Sequence, residues 1–302
     1  MKTNIVRAAA VLISGILALT ALAACSSKDA GATTNEQNTS HMTQTTTPAP
    51  ADTASARVRV ETNVGTFTVL LYGDTPKHRD NFLRLAREHY YDGTLFHRVI
   101  KNFMVQAGDP ESRNAAPGAH LGAGGPEYKI DAEIVFPKHF HKRGALAAAR
   151  QGDQVNPQKR SSGSQFYIVT GARLSEPEVA QYEQHLRNSA MQSAFNQMAT
   201  EHRDEIIRMQ RAGDRQGLQA LQDTLISRAQ AFADANPRPV TDEMRAAYTT
   251  VGGAPHLDGD YTVFGEVIDG MDTIERIEAA ETGAADRPRQ DIKILSMEVL
   301  DN

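Results

Sequence analysis

The chain has 302 residues, 40% of them hydrophobic, which is enough apolar material for one large domain or two small ones with a buried core. Lys and Arg number 32 against 37 Asp and Glu, for a formal net charge of −5. The two signs are interspersed, which leaves no basic footprint and excludes a nucleic-acid partner. Cys25 is the only cysteine, so an intrachain disulfide is excluded too.

The amino terminus places Lys2 and Arg7 ahead of an apolar run over 8–22, followed by Leu22-Ala23-Ala24-Cys25. A positive start, an apolar stretch too short for a comfortable membrane span and small residues before a cut site predict a secretory signal over 1–24. The cysteine directly after Leu-Ala-Ala resembles the bacterial lipobox. That resemblance implies that Cys25 is lipidated and becomes the mature terminus, so that the chain is exported and held to a bacterial envelope membrane by its acyl chains. Each buried methylene of such a chain contributes about 0.8 kcal/mol, and no transmembrane helix is needed. Residues 26–56 are Thr, Ser, Ala, Asn, Gln and Pro with little to bury. With the lipidated cysteine they read as a disordered tether over 25–56.

Ordered structure is expected over 57–302. Val58, Val60, Thr62 and then Phe67, Val69, Leu71 alternate around Asn63-Val64-Gly65, the pattern of a hairpin with one buried face. Asp74-Thr75-Pro76 opens a helix through His89, with proline in the first turn. Short β-type runs follow at 95–99, 104–106, 144–149, 165–169 and 261–267, separated by Gly, Pro, Asn and Asp. A helix at 271–280 and a strand at 292–299 close the chain. Many short strands with few helices predict a closed barrel.

Residues 175–250 have a different texture. Ser175 and Glu178 are spaced as a capping box, and Val179, Tyr182, Leu186, Met191, Phe195 and Met198 recur at helical steps. Gly213-Asp214 reads as the end of one helix and the cap of the next, which Pro237 and Pro239 terminate. The segment therefore reads as a helical hairpin plus a short helix over 241–248, inserted into a β-rich domain. Its mixed charges argue against a membrane-surface helix. It enters directly before His256 and Leu257, where it either packs as a passive flank or overhangs the neighbouring groove, recruits clients or docks an envelope partner.

The run Phe96-His97-Arg98-Val99-Ile100-Lys101-Asn102-Phe103-Met104-Val105-Gln106-Ala107-Gly108-Asp109 carries the chemistry. Alternation puts Met104 and Gln106 on one face of a strand. A guanidinium and an amide beside aromatic and apolar side chains make a binding site, with no evident nucleophile, base or metal set. His139 and His141 lack a third ligand at proper spacing and read as solvated. Gly122, Gly124 and Gly125 lack the strand-to-helix context of a nucleotide loop and read as turn residues.

This run resembles the central signature of the cyclophilin family. Gly163-Ser164-Gln165-Phe166-Tyr167-Ile168 is similar to its second motif, and Leu257-Asp258-Gly259 with Val263-Phe264-Gly265 is similar to its third. The resemblance covers about 58–300 apart from 175–250. It implies a mainly β fold, an eight-stranded antiparallel barrel capped by two helices, with the helical hairpin inserted. It also implies peptidyl-prolyl cis-trans isomerase activity on Xaa-Pro bonds of proline-containing polypeptides, without cofactor or metal. By motif position, Arg98 would be catalytic and Gln106 would hold the substrate backbone. Ile100, Phe103, Met104, Tyr167 and Leu257 would form or border the proline pocket, Ala149 and Gln165 would line the groove, and His97 stands where the family has its other signature histidine. Three positions depart from the commonest pattern: Arg150 stands for asparagine, His256 for Trp or Phe, and Tyr261 for histidine. The departures bear on peptide preference and on affinity for the family's cyclic-peptide inhibitor. A different reading of the same residues is a non-catalytic proline-peptide binding module or chaperone, in which the insertion contacts the client.

Overall fold

The computed structural model describes residues 54–237 and 240–300; the signal segment, Cys25 and the tether up to residue 53 lie outside the described residues. Strand β1 (Ala56–Thr62) buries Val58, Val60 and Thr62 and exposes Arg57, Arg59 and Glu61. It pairs in register with β2 (Gly65–Leu71) across a two-residue turn, where the Thr62 hydroxyl donates to the Gly65 carbonyl at 2.7 Å. Helix α1 (Pro76–Arg87) starts on proline, whose missing N–H is of no consequence in a first turn. It buries Phe82, whose ring centroid lies 5.2 Å from Tyr91, 5.3 Å from Phe166 and 5.7 Å from Phe264.

The strands β3 (Arg98–Ile100), β4 (Met104–Ala107), β5 (Lys129–Ile130), β6 (Ala145–Ala148), β7 (Ser161–Ser162) and β8 (Phe166–Val169) follow. Then come helices α2 (Glu176–Glu201), α3 (Arg203–Ala212), α4 (Arg215–Ala235) and α5 (Asp242–Thr250), strand β9 (Val263–Asp269), helix α6 (Met271–Glu278) and strand β10 (Ile294–Leu300). Eight strands form one curled antiparallel sheet in the order β10-β1-β2-β9-β6-β8-β4-β3. Its two edges meet just before β3, where Phe96 N–H donates to the Ile292 carbonyl and Ile294 N–H to the Thr94 carbonyl, both at 2.9 Å. The strand expected at 95–99 begins only at Arg98 because the residues ahead of it make this seam. Helices α1 and α6 bury Phe82, Leu85, Ile274 and Ile277 in the barrel's core.

Alternation along β4, β6 and β8 serves two layers. Val105, Ala107, Leu146, Ala148, Phe166 and Ile168 point into the barrel core. Met104, Ala145, Ala147, Tyr167 and Val169 point the other way, into a second apolar cluster with Val263 and Ala254. The pair β5 and β7 stands apart from the main sheet and is held to α1 by His78. That ring lies 2.7 Å from Glu133 Oε2 through Nδ1 and 2.9 Å from Ser161 Oγ through Nε2. The order of groups is that of a nucleophile, base and orienting acid, but Ser161 is 1% exposed and the hollow beside His78 is about 10 Å³. No acyl group fits there, and the trio acts as a staple.

The insertion has four helices where a hairpin and one short helix were expected. Glu178 reaches back to the Ser175 backbone N–H at 2.7 Å, and α2 packs on α4 as the hairpin. The long first helix breaks at His202, whose N–H still bonds the Met198 carbonyl at 3.0 Å while its ring turns to Glu205. Gly213 ends α3 in the left-handed region at φ 68°, a conformation glycine adopts without strain. The insertion's apolar face (Val179, Tyr182, Leu186, Met244, Tyr248) closes over Phe140 of the β-rich domain. Replacing Phe82 with Ala, which vacates the junction of three aromatic rings, is expected to lower unfolding free energy by about 3–5 kcal/mol in a urea titration.

Candidate active site

Cross-strand register assembles the site. Arg98 on β3 faces Gln106 on β4, Gln106 faces Tyr167 on β8, and Tyr167 faces Ala147 on β6. One step along, Ile100, Met104 and Val169 form a parallel row. Residues opposite one another on neighbouring strands point to the same side, so the guanidinium, the amide and the apolar wall emerge together. Arg98, Phe103, Met104, Gln106, Ala149, Arg150, Tyr167, Leu257 and Tyr261 line one hollow of about 180 Å³. A second hollow of about 230 Å³ shares Gln106, Ala149 and Arg150 with it and runs past Gln165 toward Gly124 and Tyr128. The two adjoin through these shared residues and make one continuous groove.

The polar groups are held in a chain. Arg98 Nη1 donates to Gln106 Oε1 at 3.4 Å, Gln106 Nε2 to Gln165 Oε1 at 3.0 Å, and Gln165 Nε2 to the Gly124 carbonyl at 2.6 Å. This direction of donation leaves the Arg98 N–H groups as the outermost donors. Arg98 Nε also lies 3.6 Å from Asp286 Oδ2, both side chains being nearly half exposed. An ion pair so open to water is weak, so it steers the guanidinium without locking it. The guanidinium is accordingly not sealed from solvent, and a dry contact with it requires a bound peptide to cover it.

A family model described as cyclophilin type peptidyl-prolyl cis-trans isomerase/CLD matches residues 57–299. The chain belongs to this family. A relative from Staphylococcus aureus (strain USA300), provisionally named a peptidyl-prolyl cis-trans isomerase, is 30% identical over 246 residues, covering 80% of this chain and 91% of its own. A Streptococcus pyogenes protein, provisionally named a bifunctional phosphatase/peptidyl-prolyl cis-trans isomerase, is 32% identical over 81% of this chain, and the match spans 39% of that relative. A Cryptosporidium parvum cyclophilin solved in the presence of the dipeptide Ala-Pro superposes with a TM-score of 0.46 at 22% identity, covering 82% of this chain and 99% of that one.

Within this cyclophilin-type groove two of the departures are one feature. The Arg150 guanidinium lies 4.4 Å from the Tyr261 ring centroid, and Arg150 Nε donates to the Asp260 carbonyl at 2.8 Å. An arginine stacked on a tyrosine is a cation–π contact, and each residue accounts for the other. His256, the third departure, packs its ring 5.1 Å from Phe103 beside the hollow rather than in its lining. Ile100, opposite Met104 on the same face, packs against the apolar cluster that contains it.

His97 is not brought into the hollow. It is 4% exposed and lines, with Leu121, Gly122 and Arg287, an adjoining space of about 230 Å³ that shares Arg98 and Gln106 with the hollow. Neither ring nitrogen has a partner at hydrogen-bonding geometry among the described residues.

His139 and His141, expected to be solvated, are not. His139 stacks on Tyr72 at 4.0 Å and reaches Asp74 at 2.7 Å. His141 is 1% exposed and lies 2.8 Å from Asp258 Oδ1 through Nδ1 and 3.0 Å from the Tyr167 hydroxyl through Nε2. No metal-binding cluster of His, Cys, Asp and Glu occurs among the described residues. Asp258 and His141 were not legible as a pair because 117 positions separate them. Asp286 was missed because a left-handed turn at Ala285 and Asp286, φ 56° and 58°, aims it at Arg98.

Burial pushes the His97 pKa below its ordinary 6.5, more than nearby Asp109 raises it. The unfolded chain therefore takes up a proton that the fold refuses, and stability falls as pH drops through the ordinary value. The melting temperature is expected to decline between about pH 7.5 and about pH 5.5, and the decline is expected to be smaller in His97→Phe; equal declines in a thermal-melt series would contradict this.

Proposed function

We propose that the protein isomerises Xaa-Pro bonds of exported polypeptides, with Arg98 as the catalytic donor and Gln106 as the group that holds the substrate backbone. One observation carries this reading: Arg98 and Gln106 stand in register on a hollow of about 180 Å³ whose apolar side is Phe103, Met104, Tyr167 and Leu257. Rotation about the peptide bond costs about 18–20 kcal/mol because C–N resonance is lost, while the two X-Pro isomers differ by only about 0.5–1 kcal/mol. A catalyst needs only to favour the twisted state. As the prolyl nitrogen becomes pyramidal its lone pair turns into an acceptor, and an Arg98 N–H donates to it there and not to either planar isomer. The apolar hollow grips the ring, Gln106 holds the backbone, and the preceding carbonyl swings. The peptide itself covers the guanidinium and strengthens the bond. No cofactor or proton transfer enters this scheme.

In an isomerisation assay on a proline-containing tetrapeptide, Arg98→Ala is expected to lower kcat/KM about 100-fold. Arg98→Lys is expected to restore little, since a point charge does not reproduce a planar fork oriented by Gln106 and Asp286. A parent protein that binds the peptide without isomerising it would instead support the binding-module reading.

The site of action is inferred from the amino terminus alone. Lys2, Arg7, the apolar run and Leu-Ala-Ala-Cys support export and acylation at Cys25, and no described helix is long and apolar enough to cross a membrane. Cys25→Ala in the full chain is expected to move the protein from the membrane fraction to the soluble fraction. Docking of an envelope partner on the insertion has less support. Among its described residues Phe232 is the one exposed large apolar side chain, and a single such residue is ordinary surface.

A further inference from the structure

Asp258 follows Leu257 of the groove wall directly and is buried with its side chain 0% exposed. Its Oδ1 accepts from the His141 backbone N–H and from His141 Nδ1, both at 2.8 Å. Its Oδ2 accepts from the Tyr182 hydroxyl at 2.7 Å and from the Tyr248 hydroxyl. Tyr182 lies on α2 and Tyr248 on α5, so half of this carboxylate's donors come from the inserted helices. Burial and the Asp258 charge hold both phenols well above their ordinary pKa, which keeps them donors.

With donors occupying both oxygens, His141 must present Nδ1–H to Asp258. In the neutral imidazole Nε2 is then the acceptor for the Tyr167 hydroxyl, 3.0 Å away. Tyr167 is 4% exposed, and its ring forms one wall of the proline hollow. A continuous path of hydrogen bonds therefore runs from the insertion to a residue of the groove. The close approach at its root is built in: a Cβ on Gly253 would stand 2.3 Å from the His141 carbonyl and 2.5 Å from the Tyr248 ring. Glycine there lets the end of the insertion settle against His141.

We propose that Tyr182, Tyr248, Asp258 and His141 are positioning residues, and that the insertion serves isomerisation by fixing the tautomer of His141 and, through it, the orientation of Tyr167. The proposal rests on the isomerase reading above. Without the two tyrosine donors the buried Asp258 carboxylate has no partner on Oδ2 and must turn to recruit one. The turn shifts His141 on Oδ1 and leaves the buried Tyr167 hydroxyl without its acceptor, so that its ring leaves the position that shapes the hollow. Removing the hydroxyl itself removes the need for the path.

The test uses the full chain, the same tetrapeptide assay and a temperature at which circular dichroism shows every variant folded. Tyr182→Phe with Tyr248→Phe keeps both rings and deletes the two donors, and is expected to lower kcat/KM about tenfold. Adding Tyr167→Phe to that pair is expected to bring kcat/KM back to within about twofold of Tyr167→Phe alone. A merely structural role for the tyrosines would lower the melting temperature without this rescue. No loss in the tyrosine pair, or a loss that Tyr167→Phe does not relieve, overturns the proposal while Arg98-dependent activity leaves the isomerase reading standing. An inactive parent overturns the isomerase reading and the proposal with it.

Discussion

The site depends on one constraint, the in-register pairing of β3, β4, β8 and β6. Because side chains alternate along a strand, a slip of one residue in β4 would send Met104 and Gln106 into the barrel and Val105 and Ala107 outward. The core forbids that slip: Val105 and Ala107 are 0% exposed among Leu146, Phe166 and Ile168. The packing of one face thus sets the chemistry of the other. Arg98, Gln106 and Tyr167 need no private scaffold, since the hydrophobic burial that holds the barrel together also fixes their row.

The Asp258 cluster shows the same economy at the junction with the insertion. A buried carboxylate is destabilising unless its charge is met by donors, and here four donors from three segments meet it. Only the folded insertion brings Tyr182 and Tyr248 to this point, so the apolar cluster around Phe140 and the polar network beside it form together. This favours a groove and an insertion that order as one unit.

Much of this was legible in the sequence. The alternation in Val58-Val60 and in Met104-Gln106, the proline start of α1 and the left-handed close at Gly213 all reflect local rules, and local rules survive folding. The nine residues that line the hollow of about 180 Å³ had been named through the family resemblance, by their place in its motifs. The failures have a common cause. His141 looked solvated because its partners lie on segments far away in the chain, and Arg150 and Tyr261 looked like separate departures until stacking joined them. The break at His202 left no clear mark either, since no Gly or Pro stands there and apolar residues continue through Ile206.

A half-exposed Arg98 is consistent with this chemistry rather than a defect in it. A guanidinium buried permanently would bear its desolvation in every state of the enzyme, and a partner such as Asp286 placed in a dry site would bind it too firmly to release it. At 3.6 Å and open to water, Asp286 holds the planar fork near its working orientation at little energetic consequence. An incoming peptide then excludes the water, and the donor becomes strongest at the moment the prolyl nitrogen becomes an acceptor. Gln106 and Gln165 extend the same logic: each amide spends its oxygen on the neighbour before it and its N–H on the neighbour after it, so the last link, Gly124, anchors the orientation of the first.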